Sequence, residues 1–164
     1  MRLNLSLSYD GTEEYLIRLS SVELNTFLSK EVAAKVSEQV EVVEVCLERI
    51  RGKKTTNIAV LMQIAKMIAN FFKQNEDVIL YFFCDDLNDI PRRQTDLSPQ
   101  EFRSRLFSQM YSRYTSMSNI TEIQNVSICI DSSGWKNYIH FLVRSKHMPI
   151  MDMIQKDVLD GFGK

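Results

Sequence analysis

Carboxylates and guanidiniums crowd one short stretch of the chain. Asp85, Asp86 and Asp89 follow the apolar run Val78–Cys84, and Arg92, Arg93 and Arg103 come soon after them. Carboxylates at the carboxyl end of a buried strand can hold Mg²⁺ against a substrate phosphate, and arginine grips phosphate bidentately. Ser98-Pro99-Gln100-Glu101 opens a helix beside them, with Ser as cap, Pro at the first position and Glu at the third. The free amides of such a helix start favour an anion. Together these residues suit a phosphate-containing ligand, a nucleotide or a nucleic acid. A plainer reading carries more weight. Asp and Asn are ordinary turn residues after a strand, and an exposed Arg–Asp pair contributes only ~0–1 kcal/mol. No P-loop, dinucleotide-binding turn or HExxH zinc spacing is present, so no metal or cofactor is expected.

The remaining candidates are single residues. His140 stands between Ile139 and Phe141 in an alternating run, and His147 precedes Met148-Pro149. A strand histidine reads more readily as a packed or hydrogen-bonded side chain than as a base. Catalysis would need Ser127 or Cys84 beside it, a proximity that sequence does not supply. Cys84 ends a strand and is the one cysteine placed as a nucleophile, which also requires an accessible, electropositive site. Trp135 follows the turn glycine Gly134, so it reads either as a partly exposed protein-contact anchor or as cross-strand packing. Nucleic-acid binding through Arg92, Arg93, Arg103, Arg105 and Arg113 ranks third. Most tyrosines fall on stripes that also carry core residues, which disfavours base stacking.

These residues must be positioned by a chain of 164 residues and 19.1 kDa, with 45% hydrophobic and 25% charged residues and a net charge of -1. That composition predicts one soluble globular domain and argues against a strongly basic nucleic-acid coat. Cys46, Cys84 and Cys129 are widely spaced and lie in apolar stretches, which predicts buried free thiols rather than a disulfide or zinc framework. The opening residues alternate instead of forming a signal-peptide core, and the apolar runs are too short to span a membrane. A cytoplasmic protein is expected.

Leu3, Leu5 and Leu7, then Tyr15, Ile17 and Leu19, alternate around Asp10-Gly11 and predict a hairpin. Ser20 and Glu23 are spaced as a capping box, predicting a short helix from Ser21. Val36, Val40, Val43, Leu47 and Ile50 have helical spacing, but the β-branched residues Val40, Val42, Val43 and Val45 favour a strand over Val40–Ile50. Ile58–Phe72 predicts a helix capped by Thr56 or Asn57, apolar on two rows and polar only at Gln63, Lys66, Asn70 and Lys73, hence the central core helix. Val78–Cys84 reads as a strand buried on both faces. Phe102, Leu106, Met110 and Tyr114, flanked by Phe107 and Tyr111, form the buried stripe of the helix after Ser98, with Arg103, Arg105 and Arg113 pointing elsewhere. Val126–Ile130 and Ile139–Val143 flank the Asp131–Gly134 turn as a second hairpin. A final helix opens at Pro149 and stops at Gly161. The fold class is α+β: a single domain with a mixed or antiparallel sheet, terminal hairpins and two to four packed helices.

Phe71-Phe72, Phe83-Cys84-Asp85-Asp86 and the run Ser98–Phe107 carry a resemblance. From Val40 onward the chain resembles an uncharacterised bacterial domain family of the Bacteroidota type. The resemblance implies a strand at Val40–Ile50 and a bacterial cytosolic origin, and it transfers no catalytic residue. Because no catalytic constellation has a defined spacing, the function expected is a non-enzymatic protein-interaction, accessory or regulatory domain. Its partner is another protein or a second copy of the chain at a hairpin edge. Phosphate-ligand chemistry at the Asp85/Asp86 loop is the alternative.

Overall fold

Period-two alternation builds the two hairpins at the ends of the sheet. The computed structural model describes residues 1–52, 58–84 and 96–162. β1 (Arg2–Tyr9) and β2 (Glu13–Ser21) pair antiparallel, with Leu3 opposite Leu19 and Leu7 opposite Tyr15. Asp10 and Gly11 take φ of 47° and 71°, the left-handed pair that suits a tight hairpin turn. β5 (Ile123–Ser132) and β6 (Trp135–Arg144) form the other hairpin around Ser133 and Gly134, at φ 54° and 85°.

Two strands join these hairpins into one sheet. β3 (Glu41–Arg51) lies antiparallel to β2, β4 (Val78–Cys84) antiparallel to β6, and β3 and β4 are parallel to each other. The strand order is β1-β2-β3-β4-β6-β5. α2 (Ile58–Gln74) makes the crossover that a parallel pair requires. The strand reading of Val40–Ile50 holds because Val42 is buried on one face and Val43 and Val45 on the other, in a sheet covered on both sides.

Helices clad both faces. α2 and α3 (Pro99–Ser118) lie on one, α1 (Lys30–Ser37) and α4 (Met148–Phe162) on the other. The core is accordingly split in two. Ile17, Val43, Ile64, Phe72 and Leu80 belong to the α2 side, and Val36, Ile79, Phe141, Met151 and Ile154 to the α4 side. The central element is therefore the sheet, and α2 is one of its cladding helices. Gln63, Lys66, Asn70 and Lys73 are its exposed strip, as expected.

Several local expectations need correction. β2 runs through Ser21, and the Val22 amide donates to the Val42 carbonyl at 2.9 Å. The sheet thus claims the residues that the Ser20/Glu23 spacing assigned to a helix start. Glu23 precedes only a 3-10 turn, Leu24–Thr26, and caps nothing with its side chain. Gly161 lies inside α4 rather than ending it. On β4, Phe83 is 40% exposed although its neighbours Leu80 and Cys84 are buried. Cys129 is exposed and Cys46 half-buried, because β5 is an edge strand and β3 is partly uncovered. Thr56 and Asn57 lie outside the described residues.

The start of α3 follows its sequence signature. Pro99 is its first residue, the Glu101 amide donates to Ser98 Oγ at 3.3 Å, and the Ser98 amide donates to Glu101 Oε2 at 3.1 Å. The apolar stripe below it is less deeply buried than the pattern implies. Phe102, Leu106, Phe107, Met110, Tyr111 and Tyr114 are all half-buried.

Candidate functional site

The reason lies in the sheet beneath. β3 and β4 are paired only over Glu41–Glu44 and Val78–Tyr81. Beyond that, among the described residues, β3 stays with β2 as far as Arg51 and β4 stays with β6 as far as Cys84. The strands part toward their carboxyl ends. α2 presents Ala65 and Ala69 over the gap, one turn apart and too small to fill it, while Leu106, Met110 and Tyr114 of α3 form the opposite wall. Leu80, Phe82 and Leu142 belong to the same lining. The result is a cavity of about 650 Å³, well within the range of small-molecule sites.

Among the described residues its charged lining is Glu44, Glu48, Arg49 and Arg103. Arg18 holds Glu48 at 2.8 Å, and the Arg49 guanidinium lies 5.5 Å from the centre of the Tyr15 ring. The walls are tied down. The Tyr111 hydroxyl of α3 donates to the Ile123 carbonyl of β5. Arg144 of β6 lies 3.9 Å over the Phe72 ring and donates to the Phe72 and Glu76 carbonyls at the carboxyl end of α2. A cation is favoured at that end of a helix.

Among the residues expected to bind a ligand, Arg103 lines this cavity, which corrects its expected outward direction. It turns inward because its place on α3 adjoins Leu106 and Phe107. Asp85, Asp86, Asp89, Arg92 and Arg93 lie outside the described residues. Arg105 and Arg113 are exposed on α3. Cys84 is buried and borders the cavity. Trp135, at the tip of the β5–β6 hairpin, is 61% exposed.

His140 is 1% exposed on β6. Its cross-strand neighbour is Ser127, but its hydrogen bonds go elsewhere. Ser104 Oγ of α3 lies 2.8 Å from Nε2, and Asn125 Oδ1 of β5 lies 3.0 Å from Nδ1. Burial pushes the imidazole pKa down to about 4, so the ring is neutral near pH 7. The Asn125 oxygen only accepts, so Nδ1 carries the proton, Nε2 accepts, and the Ser104 hydroxyl donates. The Phe107 ring packs 4.8 Å from the imidazole and 4.1 Å from Phe82, which lines the cavity. Sequence reasoning found His140 but missed Ser104 and Asn125, because a helix and a strand far apart in the chain supply them.

His147 is also buried, 3.5 Å from Asp77, and burial with Lys146 lowers its pKa. Among the described residues no group of His, Cys, Asp and Glu is arranged to hold a metal ion. No helix among them is long and apolar enough to cross a membrane. Compared with protein-family models, with curated proteins and with solved structures, the chain matches none.

Proposed function

We propose that this protein is an accessory or regulatory binding domain that takes an apolar small molecule between α2, α3 and the parting strands β3 and β4. The observation that carries this reading is the cavity of about 650 Å³ roofed by Ala65 and Ala69 and walled by Leu106, Met110 and Phe107. Ligand sites in mixed sheets favour the carboxyl ends of parallel strands. A lining that is mostly apolar among the described residues suits a ligand held chiefly by burial. The test is a titration with the neutral fluorophore N-phenyl-1-naphthylamine, followed by displacement with fatty acids of eight to sixteen carbons. Saturable one-to-one enhancement that fatty acids reverse supports the reading. A linear, unsaturable signal, or one unchanged in an Ala65→Phe/Ala69→Phe variant, refutes it.

A protein contact is the second reading, favoured by the exposure of Trp135 at the hairpin tip. An exposed tryptophan is the residue type that most often anchors such contacts.

A further inference from the structure

We propose that Ser104 is an acyl-accepting nucleophile, with His140 as its base and Asn125 as the positioning residue, acting on an ester of a small carboxylic acid. Three geometric features carry this beyond the cavity reading. The Ser104 hydroxyl is aligned on the one lone pair of the imidazole, at 2.8 Å. The far nitrogen is committed to Asn125 at 3.0 Å, which fixes the tautomer and the ring plane. The Phe107 ring packs tilted against the imidazole, with ring centres 4.8 Å apart. Buried polar atoms are ordinarily hydrogen-bonded, and here the partner at Nε2 is a serine that is itself half-buried. His140 is enclosed, whereas Ser104 as a residue is half-buried. Nucleophile and base within hydrogen-bond reach, with a third group orienting the base, is the arrangement an activated hydroxyl requires.

The chemistry balances. Ser104 Oγ bonds to the acyl carbon as its proton passes to His140 Nε2. The bond from that carbon to the alcohol oxygen then breaks, and the departing alkoxide takes the proton from Nε2. Water, giving a proton to the same nitrogen, attacks the acyl carbon, releases the acid and restores the serine hydroxyl.

The full chain treated with a fluorophosphonate probe is expected to gain one adduct, located on Ser104 by peptide mass spectrometry. It should also release p-nitrophenol from p-nitrophenyl butyrate. Ser104→Ala should lose both signals, and His140→Gln should lower the labelling rate by ~100-fold or more. Asn125→Asp places a carboxylate on Nδ1 and favours the imidazolium. It should therefore move the acid limb of the labelling profile upward from near pH 4. A hydroxyl with only a structural role would not shift that limb. If His140→Gln fails to fold, as judged by circular dichroism, the Asn125→Asp profile decides. Absence of an adduct on the wild type between about pH 5 and 9, equal labelling of Ser104→Ala, or an unmoved acid limb overturns the proposal. Apolar-probe binding is scored separately, so a failure here leaves the cavity reading standing or falling on its own titration.

Discussion

Replacing Ala69 with leucine sets two opposite outcomes against each other. In a close-packed core the added methyl and methylene groups would collide, and overpacking costs ~1–3 kcal/mol. Ala69 instead borders a cavity of about 650 Å³ between α2 and α3. Leucine carries three more carbons than alanine, each contributing ~0.8 kcal/mol when buried. Ordering the side chain costs ~0.5–1 kcal/mol, and the two residues have nearly equal helix propensity. The net expectation is a gain of about 1.5 kcal/mol. For a chain of this size that raises Tm by ~3–6 °C. Thermal unfolding followed by circular dichroism, with urea unfolding as a second measure, reads the sign directly. The same variant should bind N-phenyl-1-naphthylamine more weakly, since less room remains. A fall in Tm would mean that the space over β3 and β4 is already filled, and the argument for a ligand there would collapse.

Other consequences are equally open to measurement. The pKa of His140 is about 4 when folded against an ordinary 6.5, so the unfolded chain binds more protons between those values. Stability should be level above about pH 6.5 and fall as pH drops toward 4, by about 3 kcal/mol from this residue. His147 adds in the same direction, and His140→Gln should flatten the urea-midpoint profile in that window. Arg144→Met removes the guanidinium from the Phe72 ring and from the carbonyls ending α2. It should destabilise by ~2–3 kcal/mol in urea unfolding. Trp135→Ala should leave stability within ~0.5 kcal/mol, because the ring is 61% exposed. A larger loss would move Trp135 from the contact surface to the fold.

The sequence disclosed the parts of the fold that rest on local rules. Leu3, Leu5 and Leu7 alternate in step with Tyr15, Ile17 and Leu19, and β1 and β2 pair them directly, Leu3 with Leu19, Leu5 with Ile17 and Leu7 with Tyr15. Ser98, Pro99 and Glu101 announced α3 because a helix start is satisfied within four residues. Where a local signal failed, a tertiary partner outbid it. The Ser20/Glu23 spacing lost to the bond between Val22 and Val42. The site was least legible. Ser104, Asn125 and His140 meet only because α3 lies across β5 and β6, and no periodicity records which serine falls over which histidine. The half-buried stripe on α3 was equally hidden, since its residue types suit a filled core and an open cavity alike.

The four-residue joint between β3 and β4 makes the sheet two antiparallel halves stitched at one end. A change in the angle between β3 and β4 beyond that joint would leave every other strand pairing intact. If the proposed cavity ligands bind there, ones of different girth should register as different opening angles between β3 and β4. Within each half the strands would superpose unchanged.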